Sequence, residues 1–285
     1  MIESTTIPIY RITLPITGAN AVLNVCGDFH YGVRGVESCE IESSLNQVTE
    51  KNKGNIFRIF TGDIIENALK TSIGHNYDLA VGDPATQKSH MIDLLKNTTK
   101  KLYGDSVWKK LEINSNVSEL KYNDIRAIGV EGNHEYRSRK QSGQWVGKEM
   151  YEAAKIISAG MNAIIELTIK NVKLKMQKTY KIYVAHRPSS TSATSYESIL
   201  RAFRKKQCSF PGVDILVFGH FHRRFIQADG YFDSETNKFK KILYIINPSP
   251  MSDAEYAEEA GYPPLAIGHY INCYLPLDSD PWGIV

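Results

Sequence analysis

Ala21-Val22-Leu23-Asn24-Val25-Cys26-Gly27-Asp28-Phe29-His30 is the stretch from which the fold is read. Six mostly apolar residues, too few for a helix, stop at a glycine and enter a turn bearing a carboxylate and an imidazole. That order reads as a buried strand feeding a polar loop. It recurs four times. Asn55-Ile56-Phe57-Arg58-Ile59-Phe60 leads to Thr61-Gly62-Asp63, and Ile125-Arg126-Ala127-Ile128-Gly129-Val130 leads to Glu131-Gly132-Asn133-His134-Glu135. Tyr180-Lys181-Ile182-Tyr183-Val184-Ala185 leads to His186, and Asp214-Ile215-Leu216-Val217-Phe218 leads to Gly219-His220-Phe221-His222.

Helical patterns lie between some of these strands. Asp83-Pro84 suits an N-cap and first turn, and Ile92, Leu95, Thr99 and Leu102 follow on one face. Met150 to Met161 and Tyr196 to Lys206 also read as helices. Strands alternating with helices imply an α/β sheet whose ligand loops gather beyond the strand C-termini, so the five polar turns are expected on one rim. Residues 163–185 and 224–246 read as β-hairpins, the second turning near Asp233-Ser234-Glu235-Thr236-Asn237. About seventy residues separate the second and third polar turns, more than one helix needs, which predicts an insertion at about 71–121.

A chain of 285 residues, 42% apolar and 23% charged, has the composition of a globular protein and excludes collagen-like, disordered and disulfide-scaffold classes. Its apolar runs, such as Ile242 to Ile246, fall far short of the roughly 18 residues of a membrane span. Glu3 and a strand-like Ile7-Pro8-Ile9-Tyr10-Arg11-Ile12 stand where a secretory signal would show basic and then apolar residues. Cys26, Cys39, Cys208 and Cys273 are widely spaced and read as reduced thiols, so the expected location is cytoplasmic.

Each polar residue of the turns has an ordinary structural explanation alone, as a cap, a turn or a satisfied core histidine. Their combination is more specific. Asp28 and His30 lie two residues apart, which on an extended segment puts both on one side; His220 and His222 repeat the spacing. With Asp63, Asn133 and His186, the inventory is two aspartates, one asparagine and four histidines. Seven mixed oxygen and nitrogen ligands exceed what one four- to six-coordinate ion takes and suit two divalent ions. A pair of ions about 3.5–4 Å apart is a clamp for phosphoester hydrolysis.

Gly27-Asp28-Phe29-His30, Gly62-Asp63, Gly132-Asn133-His134-Glu135, His186 and Gly219-His220-Phe221-His222, in this order, resemble the calcineurin-like metallophosphoesterase superfamily. The resemblance runs from residue 22 to about 223. Residues 1–250 read as the catalytic domain and 251–285 as an acidic C-terminal segment packed on or extending it. The resemblance implies a four-layer α/β metallophosphoesterase sandwich, two mixed β-sheets flanked by helices. It further implies that Asp28, His30 and His222 hold one metal, that Asn133, His186 and His220 hold the second, and that Asp63 bridges them. His134 would stabilise the transition state or protonate the leaving oxygen after attack by a metal-bridging hydroxide. Mn2+ is the expected ion, with Zn2+, Fe, Ni2+ or Mg2+ as alternatives.

Fold and metals leave the substrate open. The second motif continues Ile64-Ile65-Glu66-Asn67-Ala68, without the arginine that protein Ser/Thr phosphatases carry there, and Glu66 stands where purple acid phosphatases place a metal-binding tyrosine. Basic residues follow the turns: Arg137, Arg139 and Lys140 after His134, Arg187 after His186, Arg223 and Arg224 after His222; Arg201, Arg204, Lys205 and Lys206 form another group. Arg137, Arg139, Arg187 and Arg223 are candidate phosphate contacts, and with Tyr31, Tyr136 and Trp145 nearby they suit a polynucleotide backbone. The pattern resembles the repair-exonuclease branch, as in the nuclease subunit of bacterial SbcCD, and in its compactness phage members. The leading expectation is a two-metal nuclease on DNA or RNA. A phosphomonoesterase or small-nucleotide phosphodiesterase stays open, as do a non-catalytic interaction module and a homodimer.

Net charge is +3, from 34 basic and 31 acidic residues. Asp253, Glu255, Glu258, Glu259, Asp278 and Asp280 place six of the acids in residues 251–285, which hold no Lys or Arg. Residues 1–250 therefore carry 34 basic side chains against 25 acidic ones, a body suited to a polyanion.

Overall fold

In the computed structural model, whose described residues are 7–68, 79–113, 125–188, 195–233, 237–251 and 267–284, the opening stretch forms β2 (Asn20–Cys26), buried along almost its whole length. Continuous burial is what a strand covered on both faces requires, and explains why its apolar residues do not alternate with polar ones. In the same sheet β2 pairs in parallel with β3 (Ile56–Phe60), β3 with β4 (Ala127–Gly129) and β4 with β5 (Ile157–Ser158). On the other side β11 (Tyr270–Pro276) pairs antiparallel with β2, and β12 (Trp282–Ile284) with β11. The order is β12-β11-β2-β3-β4-β5.

The second sheet has the order β1-β6-β7-β8-β10-β9, from β1 (Ile9–Pro15), β6 (Asn162–Asn171), β7 (Met176–Ala185), β8 (Ile215–Phe218), β9 (Phe225–Asp233) and β10 (Lys238–Ile246). Its two hairpins, β6–β7 and β9–β10, are antiparallel, while β1–β6, β7–β8 and β8–β10 are parallel. Both sheets are thus mixed.

Three apolar layers hold the molecule together. Leu23, Val25, Phe57 and Ile59 of the first sheet meet Leu167, Ile182, Val217 and Ile245 of the second. The outer face of the first sheet carries Ile41, Leu45 and Val48 of α1 (Ser38–Lys51), Met91, Leu95 and Leu102 of α2 (Pro84–Tyr103) and Met150 and Tyr151 of α5 (Val146–Ala153). The outer face of the second carries Ile199, Leu200 and Phe203 of α6 (Tyr196–Ser209). The result is the four-layer arrangement of two mixed β-sheets flanked by helices. Trp108 and Leu111 of α3 (Asp105–Ile113) close one edge of the inter-sheet core.

Of the stretch read as an insertion, residues 79–113 make α2 and α3, while 71–78 and 114–121 lie outside the described residues. Asp83 caps α2 as its sequence predicts, its carboxylate accepting from the N–H groups of Ala85 and Thr86. The helix expected over Met150 to Met161 is shorter. α5 ends at Ala153, Lys155 turns left-handed at φ 59°, and Ile157-Ser158 joins the first sheet instead. Edge pairing of Ile157 and Ser158 beside β4, with the β-branched Ile157 suited to it, prevails there over a helical continuation.

Candidate metal centre

The sheets meet the site through their loops. Thr61 N–H bonds the Cys26 carbonyl, Asp28 N–H the Gly62 carbonyl, Gly219 N–H the His186 carbonyl and Asn247 N–H the Phe218 carbonyl, at 2.8 to 3.2 Å. These bonds draw the turns after β2, β3, β7, β8 and β10 onto one rim. α4 (Asn133–Ser142) starts in the turn after β4, putting Asn133 and His134 in its first turn.

Asp28 and His30 are not on an extended segment, as their spacing had implied. Both have φ of 49°, Asp63 has 50°, and His220 and His222 have 71° and 53°. Five of the seven ligand candidates thus occupy the left-handed region that residues other than glycine seldom adopt. Strain of order 1–3 kcal/mol per residue persists only where the surroundings over-determine it. The surroundings here include two glycines that permit very close approach. A Cβ on Gly132 would lie 2.0 Å from Asp63 Oδ1, and one on Gly219 would lie 2.3 Å from Asp28 Oδ2.

Candidate ligand atoms of Asp28, His30 and His222 lie within 4.8 Å of one another, as do those of Asp63, His186 and His220, and those of His30, Asp63 and His134. Asp63 lies between the groups, with Oδ2 3.0 Å from His186 Nε2, 3.6 Å from His30 Nε2 and 3.8 Å from His134 Nε2. Asn133 Oδ1 is 2.9 Å from His186 Nε2. All seven ligand candidates therefore come together, and His134 with them.

The outer nitrogens of two rings are committed elsewhere. His186 Nδ1 donates to the Thr61 carbonyl at 2.8 Å, and His30 Nδ1 donates to Glu66 Oε2 at 2.8 Å. Their Nε2 lone pairs consequently face inward, the orientation that a metal-ligating histidine takes from its outer partner. His186 Nε2 then meets Asn133 Oδ1 and Asp63 Oδ2, and His30 Nε2 lies 2.9 Å from His222 Nε2. So many acceptors at such distances require cationic charge among them. Asp63 Oδ2, moreover, is buried and accepts no well-aligned hydrogen bond despite its proximity to His186. A pair of divalent ions fits this donor set of oxygen and imidazole nitrogen.

Titration follows the same logic. Burial disfavours charge on His186, but Asp63, at contact distance, and then Asp28 outweigh it and lift the ring to about 9. Burial and then repulsion from His186 push His220 down to about 4. Burial likewise opposes charge on His134, yet Asp63 and Glu66 raise it to about 8. One ring thus takes up a proton where a cation is called for, and its neighbour is kept neutral.

Several supporting residues were not singled out in the sequence. Glu135 is buried and accepts from the N–H groups of Asp63, Ile64, Ile65 and Gly132, between 2.6 and 3.3 Å, so it braces the loop that carries Asp63. Glu66 serves two histidines: besides His30, its Oε2 is 3.2 Å from His134 Nδ1. Asn247 Nδ2 donates to Asp28 Oδ2 at 2.9 Å and Ser249 Oγ to the Asp28 carbonyl at 2.7 Å. The Asn247-Pro248-Ser249-Pro250 loop is thus a support for Asp28.

Of the candidate phosphate contacts, Arg137 is nearest the centre, its guanidinium 3.1 Å from His134 Nε2 and 3.7 Å from Glu66 Oε1. Arg187 is exposed beside His186, and Arg223 is half-buried beside His222. Arg139 instead lies 3.4 Å over the Trp145 ring. Two further histidines have ordinary partners, His90 with the Tyr31 hydroxyl and His269 with the Ser44 hydroxyl; His75 lies outside the described residues.

The sequence profile of a family described as calcineurin-like phosphoesterase matches residues 21–224. No curated protein matches the chain. Among solved structures, it is similar to a conserved uncharacterized protein from Streptococcus pneumoniae TIGR4, described as a predicted phosphoesterase, at 11% identity and a TM-score of 0.35, over 94% of this chain and 100% of that one. It is similar also to wild-type Vps29 complexed with Zn2+ from Entamoeba histolytica, at 13% identity and a TM-score of 0.37, over 92% and 97% of the two chains.

Proposed function

The chain belongs to the calcineurin-like phosphoesterase family, and from that premise we propose that it is a two-metal phosphodiesterase acting on the backbone of DNA or RNA. The observation that carries the substrate half of this reading is a cavity of about 380 Å³ beside Asn133 and His186, lined among the described residues by Arg137, Lys140, Arg187 and Lys206 and by no Asp or Glu. Cations without carboxylates next to a phosphoester centre favour a substrate with more negative charge than one phosphate supplies.

In this reading Asp28, His30 and His222 hold one ion and Asn133, His186 and His220 the other, with Asp63 between. Two divalent ions there supply Lewis acidity that offsets phosphate charge and makes water acidic enough to attack at neutral pH. The chain's own groups do the rest. Thr61, Asn247 and the His220 N–H hold the Asp28 carboxylate at 2.6 to 3.2 Å, so its orientation is set before substrate arrives. His134 N–H does the same for Asp63 Oδ1 at 2.9 Å.

His134 Nδ1 donates to the Glu66 carbonyl at 2.6 Å, which leaves Nε2 as the nitrogen able to exchange a proton with substrate. Arg137 points at that same Nε2. An incoming phosphate would draw the guanidinium to itself and free Nε2 to take up a proton from solvent, which the ring's raised pKa of about 8 favours at neutral pH, and then to pass it to the departing oxygen.

The test is hydrolysis by the full chain, with and without added Mn2+, of single-stranded DNA, duplex DNA, RNA, cyclic nucleotides, p-nitrophenyl phosphate and a phosphopeptide. Mn2+-dependent cleavage of a polynucleotide, abolished by EDTA, supports the reading. Turnover of p-nitrophenyl phosphate or a cyclic nucleotide with no polynucleotide cleavage replaces it with a small-phosphoester hydrolase. No bound metal and no hydrolysis at all would mean an interaction module.

A further inference from the structure

The cavity beside Asn133 and His186 is too large for one phosphate. At about 380 Å³ it lies within the range of small-molecule sites. Its walls come from two elements that the metal ligands do not use in common: Arg137 and Lys140 from α4, and Lys206 from α6, with Arg187 from the loop after β7 between them. Apolar surface is present as well, from Tyr136, Met161 and Tyr183.

Arg137 has Glu66 at 3.7 Å, but the other three cations stand apart from acids. Among the described residues, no ion pair joins Arg187, Lys140 or Lys206 to a carboxylate. Lys206 lies instead over aromatic rings, its ammonium 5.3 Å from the centre of Tyr183 and 5.6 Å from that of Phe210. Burial, with Lys205 adding repulsion, depresses its pKa, as befits a cation short of counter-charge. Lys140 lies 5.0 Å from the centre of the Tyr136 ring. Each wall therefore pairs a cation with an aromatic face, the combination that takes an anionic group joined to a flat ring.

We infer that this cavity is a subsite for one nucleotide unit flanking the scissile phosphate, its own phosphate held by Arg187, Lys140 and Lys206 and its sugar and base laid against Tyr136 and Met161. The assignment rests on the phosphodiesterase reading above and deepens it, because it makes a second phosphate a determinant of affinity. A substrate with one phosphate would fill the metal centre alone.

The test is calorimetric binding of two probes to the Mn2+-loaded full chain: inorganic phosphate, which needs only the metal centre, and thymidine 3′,5′-bisphosphate, which presents a second phosphate with a nucleoside. Wild type should bind the bisphosphate at least about tenfold more tightly than phosphate, the scale of a charge-assisted contact. Lys206→Gln and Lys140→Gln, from opposite walls, should each lower that ratio by roughly tenfold, with thermal melting confirming the fold. Should one variant fail to fold, the other carries the test.

A wild-type ratio near one, or a ratio unchanged in a folded variant, overturns the subsite. Failure of the parent reading is a separate result: a chain that prefers the bisphosphate in this way yet leaves every polynucleotide intact has the subsite but not the nuclease activity. A chain that cleaves polynucleotide with the ratio unchanged in the variants has the activity but not the subsite.

Discussion

Gly132→Ala isolates one contact at the metal centre. Gly132 has φ of −85° and ψ of 178°, which any residue adopts, so the substitution adds no backbone strain. What it adds is a methyl group 2.0 Å from Asp63 Oδ1 and 2.3 Å from Asp63 N. Ordinary contact begins at 3.4 Å, so the carboxylate oxygen must retreat by about 1.4 Å. Rotation about the side chain relieves only part of this, because the Asp63 nitrogen is itself in the way and is tied to Glu135 at 3.0 Å. Movement also breaks the 2.9 Å bond from His134 N–H to Oδ1.

A displacement of that size at a reacting centre lowers turnover about 10²-fold, and overpacking in a tight interior destabilises by about 1–3 kcal/mol. The expected result is a folded protein with kcat/KM on bis(p-nitrophenyl) phosphate reduced at least about 100-fold and with weakened metal retention by elemental analysis. Gly143→Ala is the control. Its φ of 75° makes alanine strained by about 1 kcal/mol, but nothing lies within 4 Å of the added methyl, so metal content and turnover should stay near wild type. If Gly132→Ala kept both metals and its turnover, the placement of Asp63 between the two ligand groups would be refuted.

Glu66→Ala removes the carboxylate that orients His30 and lies beside His134; metal affinity by competition with a chelator should fall about 10- to 100-fold, and unchanged affinity would mean that His30 needs no outer partner. Asp83 has its pKa lowered by hydrogen bonds from the Thr86 hydroxyl and N–H, so its capping of α2 is present above the unfolded carboxylate pKa and lost as pH falls through the lower folded value. Asp83→Ala should therefore melt a few degrees below wild type at pH 7, with the gap narrowing as pH falls below the ordinary carboxylate range; a gap that does not narrow with acid would show that the cap's charge contributes nothing. On a single-stranded oligonucleotide, log kcat/KM should fall against log salt with a slope of about −3 if four cations contact phosphates, while a small diester shows little dependence. A flat profile on the oligonucleotide would remove the polynucleotide reading.

Fold and site were legible in the sequence to different degrees, for a physical reason. β2, β3, β8 and the second half of β7 could be read because a strand buried on both faces is largely apolar and must stop at a turn. The seven ligand candidates could be collected because each sits just past such a strand. α4 was illegible: Asn133–Ser142 is almost wholly polar, and it buries only Glu135 and Ser138. Backbone conformation at the site was misjudged, since left-handed Asp28, His30, His220 and His222 are imposed by neighbouring loops and not by local preference. Glu66 and Asn247 could not be assigned roles, because both act on residues distant in the chain.

Charge shows the difference between position in the chain and position in space. Read along the sequence, an acidic segment after residue 250 offsets part of the charge of a basic body. In the structure, Asp280 lies 3.9 Å from Lys241 on β10, and the Ser279 carbonyl accepts from Lys178 on β7. Both lysines are toward the starts of their strands. β7 and β10 each run parallel to β8, and their far ends, at Ala185 and Ile246, are the ones beside His186 and Asn247. From Lys178 to Ala185 a strand extends about 23 Å, more than twice the distance over which salt screens exposed charges. The described C-terminal segment, through Asp280 and the Ser279 carbonyl, therefore meets lysines at the end of the sheet opposite the metal centre. Among the described residues, none of its carboxylates pairs with Lys140, Arg187 or Lys206, and of carboxylates Arg137 has only Glu66 beside it, at 3.7 Å.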